Sequence, residues 1–170
     1  MAITLKQTEG LPDSYPAIDP AVPDEVWQRI ESWVAHRWTE RAVVWLVEGC
    51  GEWVPPLTPA TITTVEIWSD RAKDWEVTTL DAAPLGGYFL PATGPYRFTG
   101  TVASGVVLLP AAVEEAAQRL SAYMAAVPAP GIASESIPGI GDVTYASPSW
   151  MARALQNSGA GDLLRPYRRA

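Results

Sequence analysis

One cysteine and one histidine in 170 residues close off a good deal of protein chemistry. The single Cys50 excludes an internal disulfide framework and fits a reducing cytosol. With nothing basic beside it to lower its pKa, it does not read as a catalytic thiol. One Cys and one His do not complete a tetrahedral zinc site without carboxylates, so no metal or cofactor is expected. Long apolar runs are missing as well: no stretch reaches the roughly 18 residues a membrane helix needs, and residues 1–6 lack the basic-then-apolar layout of a signal peptide. Basic residues are few, 12 Lys and Arg against 19 Asp and Glu, and a net charge of −7 argues against a surface that grips nucleic acid everywhere.

What is abundant is tryptophan and proline, eight and sixteen residues, with seven of the eight tryptophans between Trp27 and Pro95. Large rings supply much apolar area per residue, and prolines interrupt strands and stiffen loops. With 48% apolar and 18% charged residues, the composition predicts a folded domain, either single or carrying an inserted lobe.

Along the chain, residues 1–22 read as an extended arm, because Gly10, Pro12, Asp13, Pro16 and Pro20 punctuate them. Pro23, Asp24 and Glu25 then open a helix predicted over 23–39, with Val26, Trp27, Ile30, Trp33, Val34 and Trp38 as its apolar stripe. Residues 42–47 form a β-branched, aromatic strand that ends at Gly49-Cys50-Gly51. Runs at 62–68 and 75–80 flank a polar turn and predict a hairpin, and Gly86-Gly87 and Gly94-Pro95 introduce two further short strands. Pro110 opens a helix with Val113, Ala116, Ala117, Leu120, Met124 and Val127 on one face. Residues 128–146 are rich in proline and glycine and read as a pliant loop. A third helix over 148–157 begins at Ser147-Pro148, carries Trp150, Met151, Ala154 and Leu155, and stops at Ser158-Gly159. The expected class is α+β: a small helical bundle over 23–127 interrupted by an antiparallel β module at about 42–109, followed by the loop and, over 147–170, a helix with an extended C-terminal tail.

Catalytic constellations are weak. His36 lies mid-helix in this reading, with no nucleophile beside it. The GxG fragments at 49–51 and 139–141 are not completed to a phosphate-binding fingerprint. Glu114 and Glu115 point to different sides of a helix and serve its dipole. Asp70, Asp74 and Asp81 surround a hairpin turn without EF-hand spacing. The sequence therefore reads as a non-enzyme.

The tail is different in character. Residues 1–153 hold nine basic against eighteen acidic residues, whereas residues 154–170 hold three against one. Arg165, Arg168 and Arg169 alternate there with Leu163, Leu164, Pro166 and Tyr167, a mixture of apolar anchors and cationic forks that interface hot spots favour. A merely solubilising end would not need the leucines and the tyrosine. A second reading rests on Trp45, Trp53, Trp68 and Trp75, whose rings on a β scaffold suit a carbohydrate- or ligand-binding module.

Three stretches carry a family likeness: 33–53, beginning Trp33-Val34-Ala35-His36-Arg37-Trp38; 111–125 with Arg119, Leu120 and Tyr123; and 158–169, ending Tyr167-Arg168-Arg169. In this order the chain resembles the head–tail connector (adaptor) proteins of long-tailed bacteriophages and gene transfer agents, over most of its length from about residue 22. The resemblance implies a ring of copies, commonly dodecameric, beneath the capsid portal. Its wall would extend a channel through which double-stranded DNA passes without sequence-specific binding. The implied partners are the portal protein, tail-side stopper or terminator proteins, and the chain itself. Segment 159–169 would dock on the portal, and the helices headed by Pro23 and Pro110 would pack the ring through Trp27, Ile30, Trp33, Arg119 and Tyr123. The protein would work in the cytoplasm during assembly and then at the head–tail interface of the particle, with no membrane role. An acidic wall suits that passage, since affinity for duplex rises with each phosphate neutralised.

Overall fold

Burial of aromatic residues organises the first part of the chain. The computed structural model describes residues 1–84, 86–105, 108–126, 134–137, 141–144 and 153–168. It contains both helices and antiparallel sheets, so the α+β class holds. The chain divides into two compact units, Met1–Pro16 with Ala35–Leu108, and Ala17–Val34 with Leu109–Ala170. A β unit thus interrupts a helical one, as expected, with residues 1–16 added to the β side.

The β unit is built on β2 (Arg41–Glu48) and β8 (Tyr96–Val102), which alternate buried and less buried positions along their whole length, the signature of strands with one face on a core. β1 (Ile3–Glu9), β4 (Ala60–Ser69) and β5 (Asp74–Val77) complete a five-stranded antiparallel sheet in the order β1-β2-β8-β4-β5. β3 (Gly51–Trp53), β6 (Asp81–Ala82) and β7 (Tyr88–Leu90) form a second sheet in the order β3-β7-β6. Both sheets feed one core: Val43, Trp45, Val47, Tyr96, Phe98 and Val102 from the larger, Trp53 and Leu90 from the smaller, with Leu57 between strands. Trp53 stacks on Phe98 at 4.2 Å and meets Trp45 edge-on at 5.9 Å, the two arrangements that ring quadrupoles favour. Gly100 is required where β8 crosses β4, because a Cβ there would lie 2.1 Å from the Thr61 carbonyl oxygen.

The arm assigned to residues 1–22 is corrected by this sheet. Ile3–Glu9 is an edge strand, with Gln7 opposite Trp45 and Thr8 opposite Val44. Its side chains finish the core: the Trp45 indole N–H donates to Gln7 Oε1 at 2.8 Å and the Trp53 indole N–H to Thr4 Oγ1 at 2.9 Å. The pairing is with residues some forty positions on, so nothing local announces it.

The helical unit holds α1 (Asp24–Trp33) and α2 (Ala111–Ala126). α1 ends six residues before the predicted boundary at 39. Val34 is already extended, with φ −113° and ψ 158°, so Val34 and Trp38 do not continue the helical stripe. Beyond it, the Arg37 N–H donates to the Thr58 carbonyl and the Thr58 N–H to the Ala35 carbonyl, which commits residues 35–37 to the β unit. α2 buries Val113, Ala116, Ala117 and Leu120; Val127 lies outside the described residues. The Gln118 side-chain amide donates to the Asp19 carbonyl at 2.9 Å and ties residues 17–22 to this helix.

Within the stretch read as a pliant loop, β9 (Ser134–Ile137) and β10 (Gly141–Thr144) pair antiparallel. The predicted start of the third helix, with Trp150 and Met151, lies outside the described residues. Its end is α3 (Ala154–Asn157), closed by Gly159 at φ 74°, the left-handed cap expected. No described helix is long and apolar enough to cross a membrane.

Two substitutions separate the packing of the β core from its polar seal. Phe98→Ala is expected to cost about 3–5 kcal/mol in urea unfolding. Gln7→Ala, which strands a buried indole N–H, is expected to cost about 1–3 kcal/mol. An effect of Gln7→Ala near zero would show that β1 does not seal the core.

Candidate functional site

The C-terminal segment is wound rather than extended, which corrects the tail reading. α4 (Ala160–Leu163) follows Gly159 and leads into a 3-10 turn, Arg165–Tyr167. Ala160 and Leu164 are fully buried. Leu164 closes the last turn by donating its N–H to the Ala160 carbonyl at 3.0 Å. A leucine spaced four residues from a buried alanine on a helical turn points to the same side, and that side is the interior of the helical unit.

Burial of Leu164 removes it from the docking set and makes it the anchor of that set. Leu163 and Tyr167 are half-buried, while Arg165, Pro166 and Arg168 are exposed; Arg169 lies outside the described residues. The Arg168 guanidinium sits 4.2 Å over the Trp33 ring, so the last described cation is placed by cation–π attraction to α1. Asn157 donates its side-chain amide to the Tyr123 hydroxyl at 3.1 Å, and Arg119 pairs with Glu115 at 2.7 Å one turn earlier on α2. The result is a short turn presenting Arg165, Pro166 and Arg168 outward on an apolar footing.

The proposed ring-packing residues divide by burial. Trp27 and Ile30 are fully buried inside their own helical unit and are withdrawn from that role; their stripe faces this core. Trp33 and Tyr123 are half-buried and Arg119 is exposed, so these three remain accessible.

Among the tryptophans of the ligand-module reading, Trp45 and Trp53 are core residues and are not available as platforms. Trp68 and Trp75 face each other across β4 and β5, edge to face at 5.5 Å. Arg97 lies 4.7 Å over Trp75 and makes two 2.6 Å hydrogen bonds to the Glu66 carboxylate. That fork holds the Glu66 carboxyl below its ordinary range and raises the Arg97 guanidinium. The ring pair is therefore already engaged by a fixed cation.

His36 does not lie mid-helix. It follows α1, half-buried, in a bridge with Thr58 and 5.0 Å from the Trp38 ring. Cys50 is exposed in the β2–β3 turn. The first GxG fragment belongs to the same turn: Gly49 has φ 109°, and a Cβ there would lie 2.4 Å from the Met1 carbonyl oxygen. Asp70 pairs with Lys73 and Asp74 caps the Trp75 N–H. Among the described residues, no group of three or more Asp, Glu, His or Cys converges as a metal cluster would. The outward residues of the small sheet, Glu52, Phe89 and Asp81, were not singled out from sequence; a lone Phe between carboxylates becomes visible only once the strand register is known.

Two measurements bear on these placements. Burial first, and the Arg37 charge second, hold His36 below its ordinary value of 6.5. The unfolded chain therefore binds a proton more readily, and this residue's contribution to stability is lost as pH falls below about 6.5. His36→Gln is expected to flatten the pH dependence of urea midpoints between about pH 7 and pH 5. Leu164→Ala is expected to cost about 2–5 kcal/mol, and Arg165→Ala, at an exposed position, within about 0.5 kcal/mol. Equal effects would remove the distinction between anchor and presented face.

Comparison with family models, curated proteins and solved structures finds no match for this chain.

Proposed function

We propose that this protein is a structural head–tail adaptor, one subunit of a ring that sits beneath a capsid portal, continues the DNA channel and joins head to tail without catalysis. The observation that carries the reading is the C-terminal turn, where Leu164 is buried as an anchor and Arg165, Pro166 and Arg168 stay exposed. A presented turn of this kind loses less conformational entropy on docking than a free tail, so more of its contact energy appears as affinity. Each turn alone offers a small surface. Repeated around a ring, weak contacts sum through effective concentration.

The division of the chain supports the same reading. Two helical segments bracket a β unit, the order on which the family likeness rests. The net charge of −7 suits a wall past which phosphates slide. Portal protein, tail-side stopper or terminator proteins and further copies of this chain are the proposed partners.

The ligand-module reading now rests on Trp68 and Trp75 alone, and Arg97 covers one face of that pair. The adaptor reading is preferred because its docking residues are the exposed ones.

Deleting residues 159–170 is a poor test, since it also removes the buried Leu164. Arg165→Glu combined with Arg168→Glu is the better one. The double variant is expected to keep its unfolding free energy within about 1 kcal/mol of wild type and to lose the joining of portal-bearing heads to tails, scored by electron microscopy of assembly mixtures. Undiminished joining would reject the docking role.

A further inference from the structure

The outer face of the three-stranded sheet carries a chemistry that nothing described so far uses. In register, Glu52 on β3 stands opposite Phe89 on β7, and Asp81 on β6 stands opposite the same Phe89 from the other side. Alternation along β7 explains the arrangement: Leu90 turns into the core and Tyr88 packs toward Phe98, so Phe89 must turn out. Phe89 is 47% exposed, and both carboxylate residues are exposed.

Cross-strand partners place their side chains about 5 Å apart, so the ring lies between two carboxylates within reach of one bound group. The exposed ring offers a face on which a planar cation can stack. In this unit Arg37 and Arg41 bind Glu9, Arg97 binds Glu66, and Lys73 pairs with Asp70. Among the described residues, no ion pair reaches Glu52 or Asp81.

We infer that the Glu52–Phe89–Asp81 face docks an arginine-bearing segment of a second protein. Charge complementarity selects a cation, and the ring selects which one. A guanidinium is planar and weakly hydrated, so it stacks on the ring while its N–H fork donates to the flanking carboxylates; an ammonium does so less well. The inference does not rest on the adaptor reading. It concerns the β unit, whereas the docking turn belongs to the helical unit, and either assignment stands if the other falls. Within the adaptor reading, it names the chemistry of a partner other than the one that meets the C-terminal turn.

The test uses the full chain and two acetylated, amidated probes, tri-arginine and tri-lysine peptides, titrated at low salt and followed by amide chemical shifts. The expected result is saturable shifts at Glu52, Phe89 and Asp81, with tri-lysine binding about 3-fold or more weaker and Phe89→Ala weakening tri-arginine by about 3-fold. Glu52→Gln with Asp81→Asn should weaken both peptides, whereas Phe89→Ala should abolish the preference for arginine. Equal binding of both peptides, unaffected by Phe89→Ala, would overturn the inference and leave an ordinary acidic surface. Sedimentation of the chain alone supplies the remaining arm: self-association removed by Phe89→Ala would assign the face to a second copy and overturn the choice of partner.

Discussion

Two indole N–H groups have to be satisfied inside an apolar core. Trp45 and Trp53 bring the ring area that holds the two sheets of the β unit together, and each brings a donor that is expensive to bury unmatched. Thr4 and Gln7 supply the acceptors. That exchange recruits the first nine residues into the sheet, although their own sequence suggests an arm. The bidentate fork of Arg37 and the second contact from Arg41, both on Glu9, fasten the same strand at its other end.

Once the aromatic residues are committed to the interior, the surface is defined by what remains. Two of the four tryptophans that suggested a ligand platform are core; the other two meet edge-on, with Arg97, itself locked by Glu66, over Trp75. Two sets of exposed groups among the described residues carry distinctive chemistry. One set is the arginine-bearing turn at the C-terminus, and another is the row centred on Phe89. Both combine an apolar or aromatic group with charge of a single sign.

The helical unit repeats the same logic with mainly aliphatic residues around one tryptophan. Trp27, Ile30, Leu120, Ala160 and Leu164 are all fully withdrawn from solvent. Burying Leu164 fixes the final turn, and the fixed turn decides which arginines face outward. Packing therefore sets which side chains of the final turn are presented.

Much of this was legible in the residues themselves. The β-branched, aromatic run over 42–47, the Gly94-Pro95 pair before the strand at 96–102, the polar turn between β4 and β5, the prolines that open α1 and α2, and the glycine that ends α3 are local signals, and they gave the α+β class and the interruption of helices by strands. The special character of the C-terminal segment was legible too, from the clustering of Arg165 and Arg168 with leucine and tyrosine. Pairing across some forty residues in β1, the early end of α1 at Trp33, the winding of 160–167 and the alignment of Glu52, Phe89 and Asp81 were not. Periodicity reports which face of an element is apolar, but it carries no information about which distant segment will cover that face. Only the tertiary structure decided that Trp45 is core while Trp75 is half-buried, and that Leu164 anchors while Arg165 is presented, because burial is a property of the assembled neighbours rather than of the side chain.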